Sequence, residues 1–382
     1  MGGSLRLGKI LGIEIRLHYS WFLIFAIVTY FVYSYSSEEY TALASLAIGL
    51  LASLLFFSSV VAHELAHSVV AIRNGIPVRS ITLFILGGVA NITKEAERPK
   101  AEMLMAIAGP SCSLIIGLIF GAVWIATGGL HEDATRFHEL LFLLAQVNVF
   151  LSLFNLLPGF PLDGGRVLRA ILWQTTKNYR KATRIASIGG QVIGWLMVGA
   201  GVIAVVLYFR MENPPLDLDI LDGIWFAAVG FFLSSIAASS YRQVVWREAM
   251  KGITASSAMV GDFMTIPTDI SLMQLVRDYI QPNRYRSFVV ATDGRFQGVV
   301  DIESIRKVPQ NRWDQTTAAS AMTPAGKVIT VGPEEEGVSV AEKMEEHRLD
   351  GIPVVRDGVV IGLVTRNSLA RVMQMRAQFG TR

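Results

Sequence analysis

Polar residues along the first two thirds of the chain leave six long apolar runs between them: Trp21 to Tyr35, Tyr40 to Ile72, Ala101 to Thr127, His138 to Leu157, Ile188 to Phe209 and Ile220 to Ser240. About 20 helical residues cross the hydrocarbon of a bilayer, so each run predicts a membrane span. The first run ends in Tyr and Ser, has no small-residue cleavage site and is followed by further spans, so it reads as a retained span and not a signal peptide. After Lys251 the pattern changes to short Val/Ile runs, Gly turns and amphipathic patches, which predict a soluble α/β domain.

That domain repeats itself. Phe263-Met264-Thr265 recurs as Ala321-Met322-Thr323, and the run Phe296 to Asp301 recurs as Val360 to Thr365. Two units of about sixty residues therefore stand in tandem. Each reads helix, strand, strand, helix, with the strands turning at Asp293-Gly294 in the first unit and Asp357-Gly358 in the second. The expected fold class is a polytopic α-helical membrane protein with six transmembrane helices, residues 1–250, followed by a soluble α/β domain, residues 251–382, with repeats at about 255–310 and 315–376.

Composition agrees with a membrane protein, at 52% hydrophobic and 17% charged residues, and the lone Cys112 rules out a disulfide framework. Any metal must therefore be held by His and carboxylates. A net charge of +3 is too small and scattered to signal nucleic acid. The cations instead alternate between loops: Arg6, Lys9 and Arg16; Arg73, Arg79, Lys94, Arg98 and Lys100; Arg166 to Arg184; Arg242, Arg247 and Lys251, against only Arg136 and Arg210 on the other side. Retention of cations on the cytoplasmic side predicts that both termini and the soluble domain are cytoplasmic, and that the acidic connections at 37–39, 131–133 and 212–219 lie outside.

The second run passes through His63-Glu64-Leu65-Ala66-His67, which puts two imidazoles one helical turn apart on one face. Glu64 sits about 100° round the helix from its neighbour, where it can reach water at a metal without ligating it. Ionisable groups inside a span are costly and functional by default, although a buried polar network is the alternative. His63 precedes the first cation, Arg73, by about 15 Å of helix, which places the site within the bilayer toward the cytoplasm. A catalytic zinc needs a third protein ligand and an open position. Asp163, in the Pro- and Gly-rich segment Asn155 to Gly165, is the best candidate; by itself it is equally a solvated loop acid or helix cap.

His63 to His67 together with Asn155 to Gly164 resembles the site-2 protease family of intramembrane zinc metalloproteases, and the tail resembles a pair of CBS domains. The resemblance covers nearly the whole chain. It implies one Zn2+ per chain on His63, His67 and Asp163, with Glu64 as the catalytic acid/base and Asn155 holding substrate or oxyanion near the metal. Taken alone, Asn155 has the commoner reading of an interhelical hydrogen-bonding amide. The implied activity is hydrolysis of a peptide bond in or near a transmembrane segment of a substrate protein, as in regulated intramembrane proteolysis, with the CBS pair as a regulatory module.

The segment Ile81 to Ile92 reads as two short strands around a Gly87-Gly88 turn, whose edge would pair with an unwound substrate; a hairpin with only a packing role is the alternative. His18, at the head of the first span, reads as an interfacial residue. Adenosine sensing by CBS pairs uses an acid that this chain replaces by Ser304 and Ser368, so the CBS ligand is unidentified, and homodimerisation through the pair is a further expectation. The expected partners are a transmembrane protein substrate and the lipid bilayer. Two rival functions are a catalytically dead relative that binds membrane proteins, which the intact quartet argues against, and a CBS-regulated ion transporter. A transporter would need polar residues spread along a path, but here they are concentrated at one motif.

Overall fold

The computed structural model describes residues 4–38, 40–85, 87–92, 96–131, 135–210, 219–261, 263–281, 287–292, 295–347 and 349–379. The chain divides into two compact units, Met1–Val244 and Val245–Arg382. The repeat turn expected at Asp293-Gly294 lies outside the described residues, as do parts of the three acidic connections.

The first unit opens with strands β1 (Ser4–Ile10) and β2 (Ile13–His18), followed by helices α1 (Tyr19–Ser36) and α2 (Ala42–Arg73). Strands β3 (Val78–Phe84) and β4 (Gly87–Ile92) come next, then α3 (Pro99–Ala126), α4 (Arg136–Asn155), α5 (Asp163–Thr176), α6 (Tyr179–Arg210) and α7 (Ile220–Met250). Among the described residues, six helices are long and apolar enough to cross a membrane, and they fall on the six apolar runs. The protein is an integral membrane protein. Its first two spans begin where side chains accept orphan backbone protons: His18 Nδ1 from Ser20 N–H at 3.2 Å, and Thr41 Oγ1 from Ala44 N–H at 3.4 Å. Close packing between spans uses small and hydroxyl side chains, as lipid supplies no hydrophobic drive for helices to associate. Thr29 of α1 and Ser53 of α2 hydrogen-bond at 2.8 Å where both are buried.

The N-terminal strands were not evident from the sequence. They form a four-stranded sheet in the order β1-β2-β3-β4, antiparallel except for the parallel β2–β3 pair. The two-helix crossover of α1 and α2 makes that parallel pairing possible. Alternation on β2 buries Ile13, Ile15 and Leu17 with Ile81 and Leu83 against Trp21, Phe57 and Val60. One expectation is corrected: Gly87 and Gly88 are not the turn of the β3–β4 hairpin but the first residues of β4, paired with Phe84 and Leu83. Gly87 takes φ +130°, a backbone conformation closed to other residues, so it starts the strand at the angle the sheet needs.

Residues 156–162 are irregular, and the Phe160 N–H donates to the Ala186 carbonyl of α6 at 3.1 Å. A helix then begins at Asp163. Gly164 and Gly165, in this Pro- and Gly-rich stretch, are helical. They are needed because a Cβ at either would collide with the backbone of residues 156–160.

The second unit carries both repeats. Strands β5 (Thr265–Ile266), β6 (Ser287–Thr292), β7 (Arg295–Asp301) and β8 (Thr323–Pro324) form one sheet, and β9 (Gly351–Arg356) and β10 (Val359–Thr365) a second. Asp357 and Gly358 take φ of 54° and 77°, as a two-residue hairpin turn requires. The repeats exchange their leading segments. Ile253, Ala255 and Ala258 pack with Val340, Ile352 and Val364, and Ala318 packs with Ile266, Phe288 and Val300. Val260 correspondingly pairs with Leu363, and Thr323 with Val299.

Candidate metal centre

The α2 register places His63 and His67 on the same buried face, 5% and 7% exposed, with Glu64 half-buried beside them. The start of α5 brings Asp163 to the same point. His63 Nε2 and His67 Nε2 are 3.2 Å apart, and Asp163 Oδ2 lies 3.3 Å from the first and 3.1 Å from the second.

The other nitrogen of each ring is fixed by α3. His67 Nδ1 donates to the Met105 carbonyl at 2.7 Å, so Nε2 of the neutral ring is a lone pair. His63 Nδ1 is 2.8 Å from Ser113 Oγ, which is fully buried. Two imidazole nitrogens and a carboxylate oxygen thus converge within 3.3 Å of one another, an arrangement that suits a shared cation. Their 3.1–3.3 Å separations match the edge, about 3.3 Å, of a tetrahedron with ligand bonds of about 2.0 Å. The donor set of two imidazoles and one carboxylate suits zinc.

Two glycines leave this space open. A Cβ at Gly109 of α3 would collide with His67 Nε2 and lie 2.6 Å from His63 Nε2. A Cβ at Gly88 would lie 2.5 Å from Glu64 Cγ, so β4 passes directly over that side chain. Pro110 follows Gly109 and removes one helical hydrogen bond from the turn that holds Met105 and Ala106.

Arg169 fixes α5 against α3. Its Nε donates to Glu102 Oε1 at 2.6 Å, and its guanidinium lies 4.8 Å from the centroids of both Phe160 and Tyr179. Asn155 is half-buried at the last turn of α4 and makes none of the cluster's hydrogen bonds.

Of the residues singled out from sequence, the structure joins His63, His67 and Asp163 in one cluster, sets Glu64 beside it and lays Gly88 over Glu64. Ser113, Met105 and Gly109 were not foreseen. The Gly109-Pro110 pair within an apolar helix, a signal of close backbone approach, could have drawn attention to Gly109.

A bundle of six apolar helices that buries a His-His-Asp cluster beside a glutamate is the framework of a membrane-embedded metallopeptidase. The family model of peptidase family M50 matches residues 51–136 and 121–197, and that of the CBS domain matches residues 255–311 and 318–374. A candidate zinc metalloprotease of Synechocystis sp. is 35% identical over 99% of this chain and 97% of its own length. The candidate zinc metalloprotease Rip3 of Mycobacterium tuberculosis is 30% identical over 98% and 94%. Among solved structures, the site-2 protease of Methanocaldococcus jannaschii is 31% identical, covers 62% of this chain and 95% of that one, and superposes with a TM-score of 0.42. The chain belongs to the site-2 protease family of zinc metalloproteases, peptidase family M50, and carries a CBS pair at its C-terminal end.

Proposed function

We propose that the protein hydrolyses a peptide bond in or near a transmembrane segment of another membrane protein, in regulated intramembrane proteolysis. One zinc per chain is held by His63, His67 and Asp163. The observation that carries this reading is the convergence of their three donor atoms within 3.3 Å. Zinc, when bound, supplies Lewis acidity toward water and the substrate carbonyl.

Glu64 takes a proton from the attacking water and returns it to the leaving amide nitrogen, so no covalent enzyme intermediate is needed. Asn155 donates its amide N–H to the substrate carbonyl or the developing oxyanion. Substrate must be locally unwound, because a helix hides its carbonyls in internal hydrogen bonds. Strand β4, with Gly87 and Gly88, offers an edge for the unwound segment, as it ends its sheet and passes over Glu64. The cation distribution supports cytoplasmic termini and a cytoplasmic CBS pair.

The CBS pair serves as the regulatory module, through a ligand not yet identified or through homodimerisation. Ser368 is already committed there: Thr365 N–H donates to its hydroxyl at 2.9 Å, and its own N–H donates to Thr365 Oγ1 at 3.0 Å.

The test is zinc content of the detergent-purified full-length protein, paired with cleavage of single-span substrates. The native protein is expected to hold about one zinc and cleave. Glu64→Gln should keep the zinc without cleaving, and Asp163→Ala should lose both. A native protein that binds no zinc overturns the reading.

A further inference from the structure

On α4, Leu140, Leu144, Asn148 and Ser152 follow one another at steps of four residues and form one buried line, 7%, 4%, 1% and 1% exposed. The two leucines pack with Ile48, Ala52 and Leu55 of α2. The line then turns polar, which an interior at membrane depth tolerates only where the polar atoms find partners. Asn148 Nδ2 donates to the Leu144 carbonyl at 2.9 Å. Asn148 Oδ1 and Ser152 Oγ are fully buried and have no hydrogen-bond partner among the described residues.

Two registers bring these atoms to the metal centre. Spans α2 and α4 run in the same direction, with α3 antiparallel between them. Leu144 and Leu55 share a cluster, and eight residues further along each helix stand Ser152 and His63. From the α3 side, a Cβ at Gly117 would lie 2.8 Å from Val149 Cγ2 and 3.1 Å from Val149 N, so the two helices touch there. Ser113, one turn back along α3, is therefore level with Ser152. Ser113 is the residue that holds His63, its Oγ 2.8 Å from Nδ1. When His63 turns the lone pair of Nε2 to a metal, Nδ1 carries the proton and Ser113 Oγ accepts it. The proton of the Ser113 hydroxyl then needs an acceptor of its own.

We propose that Asn148 is a positioning residue for the metal ligand His63 and acts through Ser113. One buried water accepts from the Ser113 hydroxyl and donates to Asn148 Oδ1 and Ser152 Oγ; side chains at i and i+4, about 5–6 Å apart, suit such a bridge. The chain of bonds has one direction. The Leu144 carbonyl can only accept, so the Asn148 amide nitrogen is committed to it and the amide oxygen is left to receive. Ser113 must then give its proton outward and accept from the ring, which holds His63 in the tautomer that can ligate. The inference rests on the zinc site proposed above.

The experiment measures zinc affinity by chelator competition, with melting temperature, on the full-length protein in detergent. Native protein, Asn148→Leu, Ser113→Ala and the two combined form a cycle. Asn148→Leu keeps the side-chain shape and removes a buried acceptor, so its melting temperature should not fall. Its zinc affinity should fall about tenfold, the lower end for a partner behind a ligand. In the Ser113→Ala background the same change should cost less than about twofold, because the chain of bonds is already cut. Ser152→Ala should give a smaller loss that also vanishes in the Ser113→Ala background. Leu144→Ala, on the same line one turn away, should lower the melting temperature and leave the zinc affinity of the folded protein native. Native affinity in Asn148→Leu, an undiminished loss in the Ser113→Ala background, or an equal loss in Leu144→Ala would overturn the proposal and leave the zinc site standing. A native protein without zinc would overturn both.

Discussion

The Gly109→Ala and Gly88→Ala variants separate metal binding from proton transfer without altering any ligand. In Gly109→Ala the new methyl lies 2.6 Å from His63 Nε2 and 2.5 Å from His67 Cε1, where ordinary contacts are about 3.5 Å or more. Relief requires a shift of about 1 Å by a ring or the helix, against a tolerance of about 0.2 Å in metal–ligand distance. The rings cannot give freely, because Ser113 and the Met105 carbonyl hold their outer nitrogens. Losing one such outer partner costs about 10- to 100-fold in metal affinity, so displacing a ligand should cost at least about 100-fold, or about 2.7 kcal/mol. Helix propensity works the other way, since Ala for Gly in a helix interior stabilises by about 1 kcal/mol. A folded, monodisperse protein without zinc is therefore expected. In Gly88→Ala the added carbon meets Glu64 at Cγ and not at its flexible tip, so zinc stays while cleavage falls by about 10²- to 10⁴-fold. Metal analysis after gel filtration, chelator competition and cleavage of a single-span reporter read both effects. Native zinc affinity in Gly109→Ala would refute the geometry of the site.

Two further variants test the residues behind the ligands. Ser113→Ala should lower zinc affinity about 10- to 100-fold by freeing the His63 ring, measured by the same competition, with little change in melting temperature. Arg169→Ala removes the cation paired with Glu102, which is 1% exposed, and two ring contacts; it should cost about 3 kcal/mol in denaturant unfolding, while Arg169→Lys should recover only part.

The six spans were legible because lipid imposes length and polarity on every helix that crosses it. The two histidines were legible because four residues on one helix settle their relation. Asp163 needed the family resemblance, because no local rule links residues 96 positions apart. Ser113 and Gly109 gave no sign of their partners, being ordinary residues of an apolar helix whose neighbours only packing selects. Strands β1 and β2 escaped notice because each is short, and the pairing of β2 with β3 depends on two intervening spans. Gly87-Gly88 read as a turn because glycine pairs usually mark one; here Gly88 is required by the Glu64 side chain beneath it.

The metal cluster draws His63 and His67 from α2, their orienting groups from α3 and Asp163 from the start of α5, 100 residues after His63. During synthesis the chain therefore carries both histidines through membrane insertion well before the carboxylate exists. The cluster of three donors is therefore complete only once α5 has docked against α3, so its assembly waits on tertiary packing and not on α2 alone.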